Sequence, residues 1–147
     1  VTDVITGPGS ISLENGEFII EFLLQQPPPR TSDAYERFIP RTEMDIAVVD
    51  AAARISLDER GHCQEARVAI GAAAPTVIRV PAAERILKGK KINDELLAEV
   101  MEEASNACNP INDKRGTIEY RRQVAGVLVK RVILFAEKRA LDKKENK

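Results

Sequence analysis

The sequence has few of the side chains from which catalytic and metal-binding sites are usually assembled. Its 147 residues include one histidine (His62), two cysteines (Cys63 and Cys108) and no tryptophan, and only 4% are aromatic. Two cysteines without a CxxC spacing are too few for a disulfide scaffold or a four-cysteine zinc site. The scarcity of aromatic rings disfavours a platform that stacks sugars or bases. We therefore predict no catalytic residue and no metal ligand in this chain.

The sequence also lacks an excess of charge of either sign and any long apolar run. With 22 basic and 23 acidic residues, its formal net charge is −1, so nucleic acid and anionic membrane are not the expected partners. No stretch of 18 apolar residues occurs, which predicts no membrane span. No secretion signal is visible, and we expect a cytoplasmic protein. The first residue is valine, not methionine, which indicates a processed chain or a fragment.

The first half of the chain predicts an antiparallel meander of about three strands. Residues 1–15 contain Gly-Pro-Gly turn chemistry and predict a loop or linker. Apolar and polar residues alternate over residues 16–26, which predicts a half-buried strand ended by three prolines. A second strand is expected to begin near Met44. The polar residues 58–61 predict a hairpin loop that leads to a return strand at about residues 66–70.

The second half of the chain predicts about three helices packed as a bundle against the sheet. Pro81 suits the first turn of a short helix, while Asn93 and Thr117 are candidate N-caps of two longer ones. Apolar residues recur at helical spacing on both longer helices, at Leu96, Leu97, Val100, Met101, Ala104 and Cys108, and at Val124, Val127, Leu128, Val132 and Phe135. Residues 138–147 form a polar tail that we expect to fray. Strands followed by helices predict an α+β fold for a domain spanning residues 16–137.

The stretch "AYERFIPRTEMDI", residues 34–46, is the best candidate for ligand binding. It places Tyr35, Arg37 and Arg41 in a predicted loop ahead of an alanine-rich strand. Arginine offers a planar fork of donors to anionic or electron-rich rings, and tyrosine adds a flat face and a hydroxyl. Loops carried by a rigid scaffold often hold binding residues. The alternative is a solvated loop that leads into a packed sheet.

A second polar cluster surrounds the predicted start of the last helix, at residues 113–115 and 120–122. Helix capping and ion pairs with the preceding loop explain its composition. The alternative is an anion site at that helix N-terminus, which would fit a regulatory domain that binds a small anion.

Four stretches occur in an order that resembles one protein family. They are "GPGSISLENGEFIIEF", "AYERFIPRTEMDIAVVDAAARISLD", "ARVAIGAAAPTVIRV" and "NPINDKRGTIEYRRQVAGVLVKR". Together they resemble the C-terminal domain of the FAD-binding (medium) subunit of molybdenum hydroxylases, the group of carbon monoxide dehydrogenase and xanthine dehydrogenase. The resemblance runs from about Gly7 to Val132. It implies a three-stranded antiparallel sheet backed by helices.

The resemblance also implies a role in electron transfer. In such enzymes a molybdopterin cofactor in a large subunit hydroxylates the substrate, and two 2Fe-2S clusters in a small subunit pass the electrons to FAD in the medium subunit. The flavin then reduces an external acceptor. This chain would complete the flavin pocket, with those subunits and the FAD-binding N-terminal domains as partners. The chain contains neither the glycine-rich upstream FAD loops nor a cysteine set for an iron–sulfur cluster. We therefore expect no activity from it alone.

The resemblance assigns roles to individual positions. Tyr35, Glu36 and Arg37 match a Tyr-Glu-Lys segment whose lysine lies near the flavin. Residues 38–46, including Arg41, Glu43 and Asp45, match a loop that borders the flavin and its acceptor. The implied FAD-binding residues are Tyr35, Arg37, Arg41, Asp45 and Ile46. Tyr120 and Arg121 match a pair that joins the last helix to the sheet. The alternative function is a non-catalytic assembly domain with the same fold.

Overall fold

Strands precede helices along the chain, as the α+β prediction requires. The computed structural model describes residues 3–41 and 45–142. Its strands are β1 (Ile5–Gly7), β2 (Ser10–Ile11), β3 (Thr31–Phe38), β4 (Val49–Leu57), β5 (Cys63–Gly71) and β6 (Ile78–Arg79). Its helices are α1 (Pro81–Leu87), α2 (Asp94–Ala107) and α3 (Ile118–Asp142). Strands β1 and β2 form a small antiparallel sheet, and β3 to β6 form a four-stranded antiparallel sheet in sequence order.

The α+β class and the three helices are confirmed, but the prediction of a three-stranded sheet is wrong. The fourth strand, β6, has two residues, and it pairs with β5 through Ala69–Arg79 and Ile70–Ile78. A two-residue strand is too short to show an alternating pattern. The small β1–β2 sheet was likewise predicted as loop, for the same reason.

The predicted strand over residues 16–26 is not formed in this chain. Residues 17–29 have no regular secondary structure. The apolar positions of the predicted strand are instead exposed: Phe18 by 77%, Ile20 by 87%, Phe22 by 62% and Leu24 by 92%. The alternating pattern is present, but no described part of the chain covers its apolar face.

Strand β3 takes the edge position in the main sheet, although its residues were predicted as a loop. Its inward-facing side chains Ser32, Ala34 and Glu36 are small or polar, and a large apolar residue, Phe38, follows only at the end of the strand, so the sequence carries no clear strand signal there. Glu36 pairs with Arg131 of α3, whose Nε lies 3.0 Å from its Oε2. The Arg139 guanidinium of α3 donates to the Asp33 carbonyl oxygen at 2.7 Å. Polar contacts with α3 therefore help to hold β3 against the helix, a role that buried apolar side chains usually have.

The hydrophobic core lies between the sheet and α3. Strand β4 buries alternate residues, from Val49 through Ala51 and Ala53 to Ile55 and Leu57. The small side chains of Ala51 and Ala53 allow α3 to pack close to β3 and β4. The buried face of α3 likewise combines alanine and glycine with larger apolar residues. That face consists of Ala125, Gly126, Leu128, Val129, Val132, Ile133, Ala136 and Ala140, with Arg121 at its start.

This packing shifts the buried face of α3 from the predicted one. Leu128 and Val132 are buried as predicted, but Val127 and Phe135 are each 42% exposed. Alanine and glycine, which a search for large apolar side chains ignores, form much of the contact. The helix continues to Asp142, so residues 138–142 of the predicted frayed tail are helical. Residues 143–147 lie outside the described part of the chain.

Helix α2 follows its sequence signals. The Asn93 side chain accepts a hydrogen bond from the Leu96 backbone N–H at 2.9 Å, which confirms the predicted N-cap. Helices α2 and α3 approach each other closely at Gly126. A Cβ atom there would lie 2.8 Å from the Met101 carbonyl oxygen and 2.8 Å from Ser105 Oγ. Only glycine fits this crossing without displacing backbone.

The turn between β4 and β5 also matches its prediction. One carboxylate oxygen of Asp58 accepts the backbone N–H groups of Arg60 and His62, both at 2.8 Å. Gly61 has a φ of +83°, a conformation that favours glycine. Cys63, which follows this turn, is buried, and burial raises the pKa of its thiol to about 11.

Candidate functional site

The outer face of the main sheet, opposite α3, carries the candidate site. Register places Tyr35 of β3 beside Ala52 of β4, Ala52 beside Ala69 of β5, and Ala69 beside Arg79 of β6. We call this set the alanine row. The two alanines form a flat floor, with an exposed tyrosine ring at one end and a guanidinium at the other. Such a surface can accept a planar group lying against the sheet.

The next row towards the β3–β4 loop carries opposite charges. Arg37 pairs in register with Asp50, and Asp50 with Gly71. A Cβ atom on Gly71 would lie 2.8 Å from the Asp50 carboxyl carbon, so the absent side chain makes room for this carboxylate. Burial raises the pKa of Asp50, and the Gly71 backbone N–H, which donates to it, partly opposes that rise.

Tyr35, Arg37 and Asp50 influence one another electrostatically. Partial burial is the largest cause of the raised pKa of Tyr35, and the Asp50 carboxylate raises it further. The positive charge of Arg37 acts in the opposite direction. A phenol, a guanidinium and a half-buried carboxylate thus lie at one end of the sheet, next to the alanine row.

Arginines border the alanine row on its other side. Arg54 of β4 pairs in register with Arg67 of β5, and both line an open cavity of about 630 Å³ that includes the row. Two of the guanidinium groups are already paired: Arg67 Nε donates to Glu65 at 2.8 Å, and Arg79 Nη2 to Glu84 at 2.6 Å. Arg54 forms no ion pair with a described residue. Carboxylates therefore pair with two of the four arginines that line the cavity, which are Arg54, Arg67, Arg79 and Arg139.

The structure corrects the local setting of two predicted site residues. Tyr35 and Arg37 lie on strand β3 and not on a loop. Their positions are fixed by eight register pairs with β4, so this part of the site is more rigid than the sequence analysis predicted. The hairpin closes beyond them, where the Val48 backbone N–H donates to the Phe38 carbonyl oxygen at 2.8 Å.

The remaining predicted site residues lie on the β3–β4 loop. Arg41 Nε lies 3.5 Å from a carboxylate oxygen of Asp45, a weak contact because the Arg41 side chain is largely exposed. The other Asp45 oxygen accepts the Ile46 backbone N–H at 2.9 Å, and the Ile46 side chain is exposed. Glu43 lies outside the described residues, as does Met44, where the second strand was expected to begin. The five predicted residues thus lie along one strand and the loop that follows it.

Helix α3 holds this end of the sheet through Arg121. Its guanidinium is buried, and Nη1 donates to the Val48 carbonyl oxygen at 2.7 Å and to the Ala72 carbonyl oxygen at 3.1 Å. Nη2 donates to Asp113 at 2.5 Å, which lowers the pKa of that carboxyl group. One side chain therefore ties the start of β4 and the residue after β5 to the helix. The predicted structural role of Arg121 is confirmed.

Several groups of the polar cluster before α3 are paired within the chain, although the buried Arg121 Nε has no hydrogen-bond partner among the described residues. Tyr120 packs edge-on against Phe38, with ring centroids 6.3 Å apart, so it also joins the helix to the sheet. The Asn112 side chain accepts the Ile118 backbone N–H at 2.7 Å, and Thr117 Oγ1 accepts that of Tyr120 at 3.2 Å. These contacts support capping and ion pairing over the alternative of an anion site.

Sequence reasoning missed the residues that complete the outer face. The sequence analysis did not single out Ala52 or Ala69, and the contribution of Asp50 and Gly71 depends on the strand register. Because β3 was predicted as a loop, no outer face could be assembled beside Tyr35. The usable signal was the period-2 spacing that places Asp50, Ala52 and Arg54 on one face of β4 and Arg67, Ala69 and Gly71 on one face of β5.

Within residues 3–41 and 45–142, no group of three or more His, Cys, Asp or Glu side chains is placed to bind a metal ion. None of the helices in this part of the chain has the length and apolarity to cross a membrane.

Comparison with known proteins gives related sequences. The chain is 33% identical over 129 residues to the xanthine dehydrogenase FAD-binding subunit of Escherichia coli O157:H7. The match covers 87% of this chain and 44% of that protein. It is 28% identical over 138 residues to the carbon monoxide dehydrogenase medium chain of Afipia carboxidovorans, covering 94% of this chain and 47% of that one. The chain therefore spans about half the length of the curated relatives it matches.

Solved structures show the same fold. Carbon monoxide dehydrogenase from Hydrogenophaga pseudoflava superposes with a TM-score of 0.87 at 30% identity, covering 94% of this chain and 47% of the matched chain. Quinoline 2-oxidoreductase from Pseudomonas putida 86 gives a TM-score of 0.82 at 30% identity, with 95% and 48% covered. The family model described as the CO dehydrogenase flavoprotein C-terminal domain matches residues 34–136. The chain belongs to the family of CO dehydrogenase flavoprotein C-terminal domains.

Proposed function

We propose that this chain is the C-terminal domain of the FAD subunit of a molybdenum-dependent hydroxylase, where it completes the flavin pocket. Family membership supports this, because the matched relatives are named as an FAD-binding subunit and a carbon monoxide dehydrogenase medium chain. One observation supports a role for particular residues: the alanine row lies beside Arg37 and Asp50 on the outer face of the sheet.

The residues on this face fit one edge of a flavin. A planar isoalloxazine ring needs a flat floor, which Ala52 and Ala69 provide, and an aromatic or apolar border, which Tyr35 provides. When bound, FAD accepts electrons from one donor and passes them to another. Arg37 supplies positive charge at the edge of the ring, which favours extra negative charge there. Asp50 opposes this effect, so the two residues together set the local potential.

The loop residues have a complementary role in this proposal. Arg41, Asp45 and Ile46 border the same edge and contribute to the surface that an external electron acceptor approaches. The Arg41–Asp45 contact fixes the loop only weakly, because the arginine is largely exposed. We expect acceptor access to depend on this loop, and flavin potential to depend on β3.

The proposal includes the other parts of the complex. FAD-binding N-terminal domains, an iron–sulfur small subunit and a molybdopterin large subunit would be the partners, with molybdopterin and 2Fe-2S clusters held in those subunits. We expect the complex in the cytoplasm. The free, buried thiols of Cys63 and Cys108 suit such a reducing compartment.

The test is the reduction potential of the flavin in the assembled enzyme, measured by spectroscopic titration. Arg37→Gln removes a positive charge that favours the reduced, more negative flavin. The potential should therefore fall by on the order of 20–40 mV, equivalent to about 1–2 kcal/mol for a two-electron couple. Arg37→Lys keeps the charge and should leave the potential close to that of the wild type. Arg60→Gln, in the β4–β5 turn at the opposite end of β4, is the matched control and should have no effect.

Two results would contradict the proposal. An unchanged potential and flavin absorbance spectrum in Arg37→Gln would remove Arg37 from the flavin edge. A colourless complex of this chain with its partner subunits, showing no flavin bands between about 350 and 500 nm, would identify the alternative function, a non-catalytic assembly domain.

A further inference from the structure

The segment from Glu17 to Gln25 has an exposed surface that the domain itself does not use. Six of the seven residues from Phe18 to Leu24 are large and apolar, and all six are exposed. Contiguous apolar surface of this kind usually marks an interaction site. The backbone N–H and C=O groups of residues 18–25 make no hydrogen bond with another described residue. The segment therefore has both unused apolar surface and an unused strand edge.

The pattern of the segment is that of a strand. In an extended chain, Phe18, Ile20, Phe22 and Leu24 lie on one side, while the other side carries Glu17, Glu21 and Gln25 together with Ile19 and Leu23. Helical spacing would also separate the polar from the apolar residues, so the period alone does not decide. The short length of the segment and its boundaries at Gly16 and Pro27 favour a strand. One fully apolar side and one mixed side are typical of a strand within a sheet that covers a core.

The extent of the sequence matches indicates where the missing sheet belongs. The family model begins at Ala34, so the segment lies outside the C-terminal domain proper. The match to the Afipia carboxidovorans protein nevertheless covers 138 of the 147 residues, leaving nine, whereas 33 residues precede Ala34. The segment thus has a counterpart in proteins about twice as long as this chain. The other half of those proteins is the source of a covering sheet.

The residues that follow the segment restrict its distance from the domain. Three prolines at 27–29 form a stiff, extended connector. Directly after them, Arg30 Nη1 donates to the Asp58 carbonyl oxygen at 2.8 Å, and the Arg30 carbonyl oxygen accepts the Leu57 backbone N–H at 3.0 Å. Strand β3, with Tyr35 and Arg37, begins at the next residue. A partner bound to the segment is therefore linked by a short, stiff connector to the candidate site.

We propose that residues 17–25 add as a strand to a β-sheet of the flavin-binding half of the subunit, with Phe18, Ile20, Phe22 and Leu24 buried against the core of that half. This inference rests on the proposed function for the identity of the partner. The strand joins the two halves, and the proline connector sets the distance between the flavin-binding half and β3.

Hydrogen–deuterium exchange tests the inference in the assembled FAD subunit, with this chain alone as the reference. In this chain alone, the amides of residues 18–25 should exchange at the rate of unstructured chain. In the assembled subunit they should exchange at least about 100-fold more slowly, because a strand inside a sheet opens rarely.

Two variants that each introduce one glutamate separate the two faces of the strand. Phe22→Glu puts a charge on the apolar side and should weaken association of the two halves by roughly 30- to 100-fold. Gln25→Glu puts the same charge on the mixed side and should weaken it less than about threefold. Both side chains are exposed in this chain, so neither variant should change the urea midpoint of this chain alone.

The outcomes distinguish this inference from the proposed function. Rapid exchange at residues 18–25 in a subunit that retains its flavin would overturn the inference and leave the proposed function standing. Slow exchange in a subunit that binds no flavin would support strand addition and contradict the proposed function. The remaining outcome is slow exchange at residues 18–25 that depends on the concentration of this chain alone, together with dimer formation in analytical ultracentrifugation. It would show that a second copy of this chain binds the segment, and it would overturn the inference.

Discussion

Replacing Arg121 with methionine should remove a large fraction of the stability of this domain. The substitution leaves the Val48 and Ala72 carbonyl oxygens without the buried guanidinium that donates to them at 2.7 and 3.1 Å. Hydrogen bonds from a charged donor contribute about 1.5–3 kcal/mol each, and breaking a buried charged network costs about 3–5 kcal/mol. We expect a loss of about 3–5 kcal/mol, against about 5–15 kcal/mol for a typical whole domain.

The assay is urea unfolding followed by far-ultraviolet circular dichroism. With a slope of about 1.5 kcal/mol per molar urea, the midpoint should fall by about 2–3 M. Arg131→Met is the matched control, because Arg131 lies on the same helix but pairs with Glu36 at an exposed position. That pair contributes no more than about 1 kcal/mol. If Arg121→Met destabilises the domain no more than Arg131→Met does, the argument from burial is wrong.

Two smaller predictions concern the helix crossing and the outer face. Gly126→Ala should lower the free energy of unfolding by up to about 2 kcal/mol in urea titration. The collision with the Met101 carbonyl oxygen costs about 1–3 kcal/mol, and the gain in helix propensity returns about 1 kcal/mol; a net gain would show that α2 and α3 separate easily. The pKa of Asp50 is raised in the fold, so its protonated form favours folding below the unfolded pKa, and this contribution is lost as pH rises through the folded pKa. Asp50→Asn should therefore raise the melting temperature at pH 7 and change it little near pH 3, and equal effects at both pH values would contradict this sign.

Elements whose signals are local were predictable from the sequence. The Asn93 cap depends on a hydrogen bond between residues three apart, and the β4–β5 turn on contacts within residues 58–62. Each such contact is determined within one turn of chain, so residue type and spacing are sufficient. The order of strands and helices follows from the same local signals.

The incorrect predictions share one physical cause, which is dependence on a distant surface. The alternating pattern of residues 17–25 predicts a strand with one buried face. It does not show that the surface which buries this face lies outside this domain. The inward-facing residues Ser32, Ala34 and Glu36 of β3 are small or polar, and α3 contacts this strand in part through Arg131 and Arg139, about a hundred residues later. The candidate site was found only in part for the same reason, since Asp50 and the alanine row become neighbours of Tyr35 only once β3 is paired.

The contact between α3 and β3 also affects how the protein is made. Arg139 and Asp33 are separated by 106 positions in the chain. At synthesis rates of about 5–20 residues per second, the ribosome adds Arg139 on the order of 5–20 s after Asp33. During that interval the alanine-lined inner face of β3 and β4 is without its helix, and its strand edges are open to other chains. We expect nascent or truncated chains that lack α3 to depend on chaperones, and the yield of soluble protein in cells to depend on residues 118–142 more than on any strand.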